Sequence, residues 1–140
     1  MKDIDLAKNM LHNEQLTMVI VKDGEILYRS KDRGIQPLCM VYKEMKKSLK
    51  GASVSDKVIG RAAAMIYADM GIKELHTNLI SENATEVLQK TDIITNYDLE
   101  VESIQNGDKT DLCPVERLSL KAKNTDELFI GIDDFLKSIK

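Results

Sequence analysis

The stretch QLTMVIVKDGEILYRS, residues 15–30, limits the choice of fold more than any other part of the chain. Two β-rich runs flank Asp23 and Gly24, a dipeptide that tolerates the positive φ angles of tight hairpin turns. The chain therefore enters its sheet through an antiparallel pair. The first run, LTMVIV, is nearly all apolar and belongs in the middle of a sheet, whereas EILYRS is more polar and belongs nearer an edge.

A chain of 140 residues, 43% hydrophobic and 31% charged, is expected to form one domain over residues 1–140 with a core that needs no covalent staples. Its two cysteines, Cys39 and Cys113, are too few for a disulfide framework and are expected to be reduced. The net charge of −3, from 20 basic and 23 acidic residues, provides no general attraction to nucleic acid. Lys43, Lys46, Lys47 and Lys50 crowd one segment, and that crowding is open to two readings: a solvated helix face or an anion-facing patch. No stretch approaches the ~20 apolar residues of a membrane span, and the N-terminus lacks the apolar core of a secretory signal. The expectation is a cytoplasmic protein without a membrane partner.

Further elements follow from spacing. Ile4, Ala7, Met10 and Leu11 define a first amphipathic helix behind Asp3 as a possible N-cap. Pro37 opens a second helix that Gly51 stops, with Cys39 inside it as a small buried hydrophobe. The run SDKVIGRAAAMIYADMG reads as a third helix, capped by Ser55 and closed by Gly71. Gly60, Ala64 and Ala68 recur along it every four residues, a stripe that allows close approach to a neighbour. A strand in IKELHTNLI then leads to Ser81 as N-cap of the helix ENATEVLQK. Tyr97, Leu99 and Val101 mark one face of a half-buried strand, followed by a polar loop QNGDKTD and a short helix PVERLSLKAK. The last helix turns Phe129, Ile132, Leu136 and Ile139 inward, and Asn124 and Glu127 have capping-box spacing at its start. An initial hairpin followed by βα units implies an α/β fold, a mixed sheet with helices on both faces.

Common chemical signatures are missing. His12, Cys39, His76 and Cys113 lie far apart, without the paired spacing of a zinc site. His12 to Glu14 match only the H-x-E half of a zinc-deaminase signature, and LCPVE places its cysteine before the proline with no second cysteine. The chain contains no dinucleotide fingerprint, phosphate loop or nucleophile elbow. What remains are helix N-termini, which bind anions through free N–H groups and converge beside parallel strands. Those at Ser55, Ser81 and Cys113 would surround one crevice together with Asp56, Lys57, Glu82 and Asn106.

Each of these residues also has a purely structural explanation. Ser55 and Ser81 serve as caps, and Asp56 and Glu82 stand where the helix dipole favours acids. Lys57 is the exception, a cation at a helix N-terminus. Cys113 precedes Pro114 at the first helical position and Glu116 at the third, from which Glu116 can reach back to the N–H of Cys113. As a helix-start thiol, Cys113 would also have its thiolate favoured.

The succession VKDGEILYRS, GASVSDKVIGRAAAM, LISENATEVL and TDLCPVE resembles an uncharacterised bacterial domain-of-unknown-function family grouped with the cytidine deaminase-like fold. The resemblance implies a three-layer α/β/α sandwich with a mixed sheet. It further implies that a deaminase would carry its H/C-x-E where this chain has SDKVIGRAAA and its P-C-x-x-C where this chain has SENATEV. Both motifs are absent, so zinc-activated water loses its basis and no cofactor is expected. Asp56, Lys57, Gly60, Arg61, Cys113, Pro114 and Glu116 match the family's own motifs, without an assigned role.

The resulting expectation is a zinc-free domain that binds a small anionic or nucleotide-like molecule at converging helix N-termini, with Lys57 and Arg61 offering charge, Ser81 and Glu82 the helix end, and Asp56, Gly60 and Asn106 the surroundings. Two alternatives stand beside it: a thiol enzyme using Cys113 with Glu116 or Asp111, and a structural or interaction module, a homo-oligomer included.

Overall fold

Asp23 and Gly24 close the hairpin in the conformation their residue types favour, with φ of 52° and 79°. They join β1 (Met18–Lys22) to β2 (Glu25–Ser30), antiparallel, with a register shift between Ile20 and Val21. The computed structural model describes residues 2–32, 34–104 and 114–138. Ahead of the hairpin lies α1 (Asp3–Asn13). Its N-cap is Lys2 rather than Asp3, whose carboxylate instead accepts the backbone N–H groups of Asp23 and Gly24, each at 2.9 Å. The turn's free donors outcompete the helix's own.

After α2 (Gln36–Leu49) the chain departs from the sequence reading. Ser53–Ile59 form a strand, β3, and the helix expected from Ser55 onward begins only at α3 (Arg61–Met70), with Gly60 as N-cap. The reason is non-local. β3 pairs antiparallel with β1 on one side and parallel with β4 (Glu74–Ser81) on the other, so a helix there would leave two buried strand edges without partners. Ser55 is consequently no cap. It is fully buried opposite Val19 and beside His76, and its hydroxyl has no partner among the described residues.

Next come α4 (Glu82–Gln89) and β5 (Ile94–Val101), which pairs parallel with β4. The five strands are ordered β2-β1-β3-β4-β5, so β1 is interior and β2 an edge, as polarity predicts. β5 is the other edge and is not half-buried as expected: Tyr97 is 45% and Leu99 58% exposed, because the strand has one neighbour only. Helices α5 (Pro114–Lys121) and α6 (Thr125–Ser138) complete the chain. Asn124 caps α6 by accepting from the N–H of Glu127 at 2.9 Å. Ile132 is buried and Phe129 and Leu136 pack on the core, whereas Ile139 and the loop 105–111 lie outside the described residues.

Alternation along β1 separates two cores. Val19 and Val21 face Ala7 and Leu11 of α1, while Met18 and Ile20 join the larger cluster built from the sheet's other face and the remaining helices. Helix α1, the sheet and α2 to α6 are therefore three layers of an α/β/α sandwich with a mixed sheet. Cys39 is buried in the larger core, and desolvation raises its thiol pKa to about 11, consistent with a space-filling role. No helix among the described residues is long and apolar enough to cross a membrane.

Candidate functional site

A cavity of about 430 Å³ opens where β3 passes into α3. Its walls are mainly apolar, among them Met18, Ile35, Pro37, Leu38, Ala62 and Ala63. Small side chains at the first turn of α3 leave the space that larger ones would fill. Among the described residues, the polar lining consists of Thr17, Asp32, Asp56, Lys57 and Glu116.

Asp56 sits in the strand beside Met18 of β1 and Thr77 of β4, both uncharged. Its Oδ2 accepts the hydroxyl proton of Tyr67 at 2.6 Å, and its Oδ1 receives a longer contact of 3.4 Å from the N–H of Val58. Tyr67 is fully buried on α3, so the carboxyl is held from below and presented to the cavity. Desolvation raises the Asp56 pKa from 3.8 to about 7, the Tyr67 and backbone donors opposing only part of the rise. Tyr67 is pushed well above its ordinary range by burial and by the Asp56 charge. Asp56 thus divides its population between acid and carboxylate near neutral pH.

The Cys113 N–H that the spacing offers to Glu116 lies outside the described residues, but other partners of Glu116 are visible. Glu116 is 2% exposed, and its Oε1 accepts the N–H of Arg61 at 3.0 Å and approaches the Ser81 hydroxyl at 3.4 Å. Its Oε2 accepts the N–H of Ile104 at 3.2 Å. One carboxylate thereby joins the starts of α3 and α4, where the positive ends of both helix dipoles favour it. Ser81 caps α4 as read from the sequence, accepting from the N–H of Ala84 at 3.1 Å.

This arrangement accounts for Gly60. A Cβ there would stand 2.7 Å from Glu116 Oε2 and 3.2 Å from Ile104 Cγ1. The carboxylate is anchored by several donors and cannot swing away without losing them. Gly60→Ala is expected to destabilise the protein by about 1–3 kcal/mol, measured by urea unfolding. A loss below roughly 0.5 kcal/mol would show that Glu116 yields freely.

The structure brings Asp56, Lys57, Gly60 and Glu116 to one cavity, whereas Arg61, Ser81 and Glu82 are not part of its lining. Asp56 and Lys57 reach it from a strand and not from a helix N-terminus, which removes the electrostatic anomaly of Lys57. Arg61 turns its guanidinium to the carbonyl of Ser119 and to Met65 Sδ on its own helix. Ser81 is buried under its capping role, and Glu82 is exposed on α4 outside the cavity lining. Asn106, Asp111 and Cys113 lie outside the described residues. The lysine-rich stretch is a solvated face: Lys43 pairs with Asp133 at 3.3 Å and Lys46 with Asp69 at 3.1 Å. Tyr67 and Asp32 carried no local signal, since their relation to Asp56 arises only from packing.

The starts of α3 and α4, where the resemblance would put zinc ligands, carry Gly60-Arg61 and Ser81-Glu82 with the Glu116 carboxylate between them. No imidazole or thiolate stands there among the described residues, so this donor set does not fit zinc.

Residues 6–136 match the family described as a domain of unknown function, DUF1893. The crystal structure of a DUF1893 family protein, TM1506 from Thermotoga maritima, superposes with a TM-score of 0.85 at 24% identity, covering 94% of this chain and 88% of that one. It shows the same fold. Weaker likenesses are a dCMP deaminase from the cyanophage S-TIM5, with a TM-score of 0.47, 15% identity and 68% and 93% coverage, and a tRNA:A34 deaminase, with 0.39, 14% and 67% and 88%. These two are too distant to bear on the chemistry. No curated protein matches the chain.

Proposed function

Because the chain belongs to the DUF1893 family, a domain of unknown function, its activity has to be read from its own cavity, and we propose that it binds a small nucleotide-like molecule there. The observation that carries this reading is the cavity itself: about 430 Å³, with apolar walls and the Asp56 carboxyl among them. Its size falls in the range of small-molecule sites, and few polar groups among apolar walls are their usual chemistry. The apolar residues of β1, α2 and the first turn of α3 are the surfaces offered to a base-like end. Lys57, exposed and part of the lining, stands ready for an anionic end. The helix N-termini are not the anchoring groups, since Glu116 and Ser81 already accept from Arg61 and Ala84.

A thermal-shift comparison of nucleobases, nucleosides and nucleoside monophosphates tests the proposal. A ligand at ten times its Kd adds about 1.4 kcal/mol to stability, raising Tm by roughly 4 °C in a chain of this size. Lys57→Ala is expected to weaken the monophosphates and leave the nucleosides unaffected. If no member of the panel moves Tm at millimolar concentration, the reading is wrong.

A further inference from the structure

We infer that the cavity selects a planar nitrogen cation, or an edge rich in N–H donors, for the buried end of its ligand, and that Asp56 is the residue that sets this specificity. The inference rests on the cavity being a ligand site and concerns the charge it prefers. Among the described residues, three carboxyl groups, Asp32, Asp56 and Glu116, and one cation, Lys57, line the cavity. An anion entering with its charge foremost would meet more negative than positive groups.

The three carboxyls are not equivalent. Both Glu116 oxygens are engaged by donors of the chain itself, and Asp32 is exposed. Asp56 differs: Tyr67 engages Oδ2, and the backbone N–H groups of Val58, at 3.4 Å from Oδ1, and of Lys57 are its other donors among the described residues, so no charged group of the described chain pairs with it. A carboxylate takes up to about four hydrogen bonds, so Asp56 retains acceptor capacity beyond the donors of the described residues. The described groups bearing on Asp56 are Tyr67 from α3, Glu116 from α5, Asp32 ahead of α2 and Lys57 on its own strand, while Met18 and Thr77 beside it carry no charge. A cation placed at Oδ1 would offset the desolvation that pushes the Asp56 pKa up to about 7, so its binding and the ionisation of Asp56 reinforce each other.

The test uses three probes of one shape on the full chain: benzamidine as cation, benzamide as neutral analogue and benzoate as anion, titrated by NMR at pH 7.5. Benzamidine is expected to bind at least tenfold more tightly than benzoate, and Asp56→Asn, which keeps an oxygen for Tyr67, is expected to abolish the difference. On the wild-type chain, with no substitution to disturb folding, lowering the pH from 8 to 5.5 should weaken benzamidine several-fold and leave benzamide unchanged. Benzoate binding as well as benzamidine, or a preference that survives Asp56→Asn, overturns the inference while the cavity remains a ligand site. If none of the three perturbs the resonances of Ala62 and Ala63, this inference fails, while the ligand-site reading stands or falls with the nucleotide panel.

Discussion

Glu116→Ala is expected to lower stability by roughly 2–4 kcal/mol, the largest loss from any single side chain at this site. The truncation leaves the N–H groups of Arg61 and Ile104 without their acceptor. Each unsatisfied buried donor costs about 1–3 kcal/mol, and water entering from the cavity recovers a part of that. Glu116→Gln preserves the shape but turns an amide N–H toward a backbone donor, so a loss of about half that size is expected. Urea unfolding of the two variants gives the order directly. A double-mutant cycle adds a sharper criterion: once Oε2 is gone, the atom 2.7 Å from a Cβ at position 60 is gone as well. Gly60→Ala should therefore cost less in the Glu116→Ala background than alone, with a coupling of about 1 kcal/mol or more. Strict additivity would mean that Glu116 does not explain the glycine.

The second large effect is a loss of stability as pH rises. The Asp56 pKa stands at about 7 in the folded protein against an ordinary value of 3.8, so between these values the folded state binds more protons than the unfolded state. The contribution of Asp56 is fully present below pH 3.8, declines through the window and is absent above about pH 7. At ~1.4 kcal/mol for each tenfold change in proton affinity, the loss amounts to a few kcal/mol. Asp69 and Asp98 act in the opposite sense: hydrogen bonds led by Tyr42 and Asn78, respectively, lower their pKa values, so their contribution is lost as pH falls. Comparing wild type with Asp56→Asn by urea unfolding from pH 4 to 8 isolates the Asp56 term. The stability difference should shift by a few kcal/mol in favour of the variant as pH rises. Parallel profiles would show that Asp56 keeps an ordinary pKa.

Much of the fold was legible because its signals are local. Asp23-Gly24 favours the two positive φ angles of a tight hairpin turn, Ser81 has its own helix to cap, and the polarity of β1 and β2 foretells which is interior. The misreading of residues 53–59 has the same origin. Ser55 followed by a run ending in alanines satisfies the local criteria of a capped helix, and only the two flanking strands make it a strand. Tyr97 and Leu99 show the converse error: their alternation is that of a strand, but no local feature tells that β5 ends the sheet.

For the site, the sequence alone marked Gly60 as a place of close approach, within a helical stripe it does not belong to, and marked Asp56, Lys57 and Glu116 among a wider set of candidates. The reasons it offered, a helix stripe and a helix start, are not the ones the structure shows. Glu116 serves a helix start 55 residues away, and Asp56 is held by a tyrosine 11 residues further along. Local conformational preference is written in adjacent side chains, whereas the desolvation of Asp56 and the neutralisation of two helix dipoles by one carboxylate exist only once distant segments exclude water from between them.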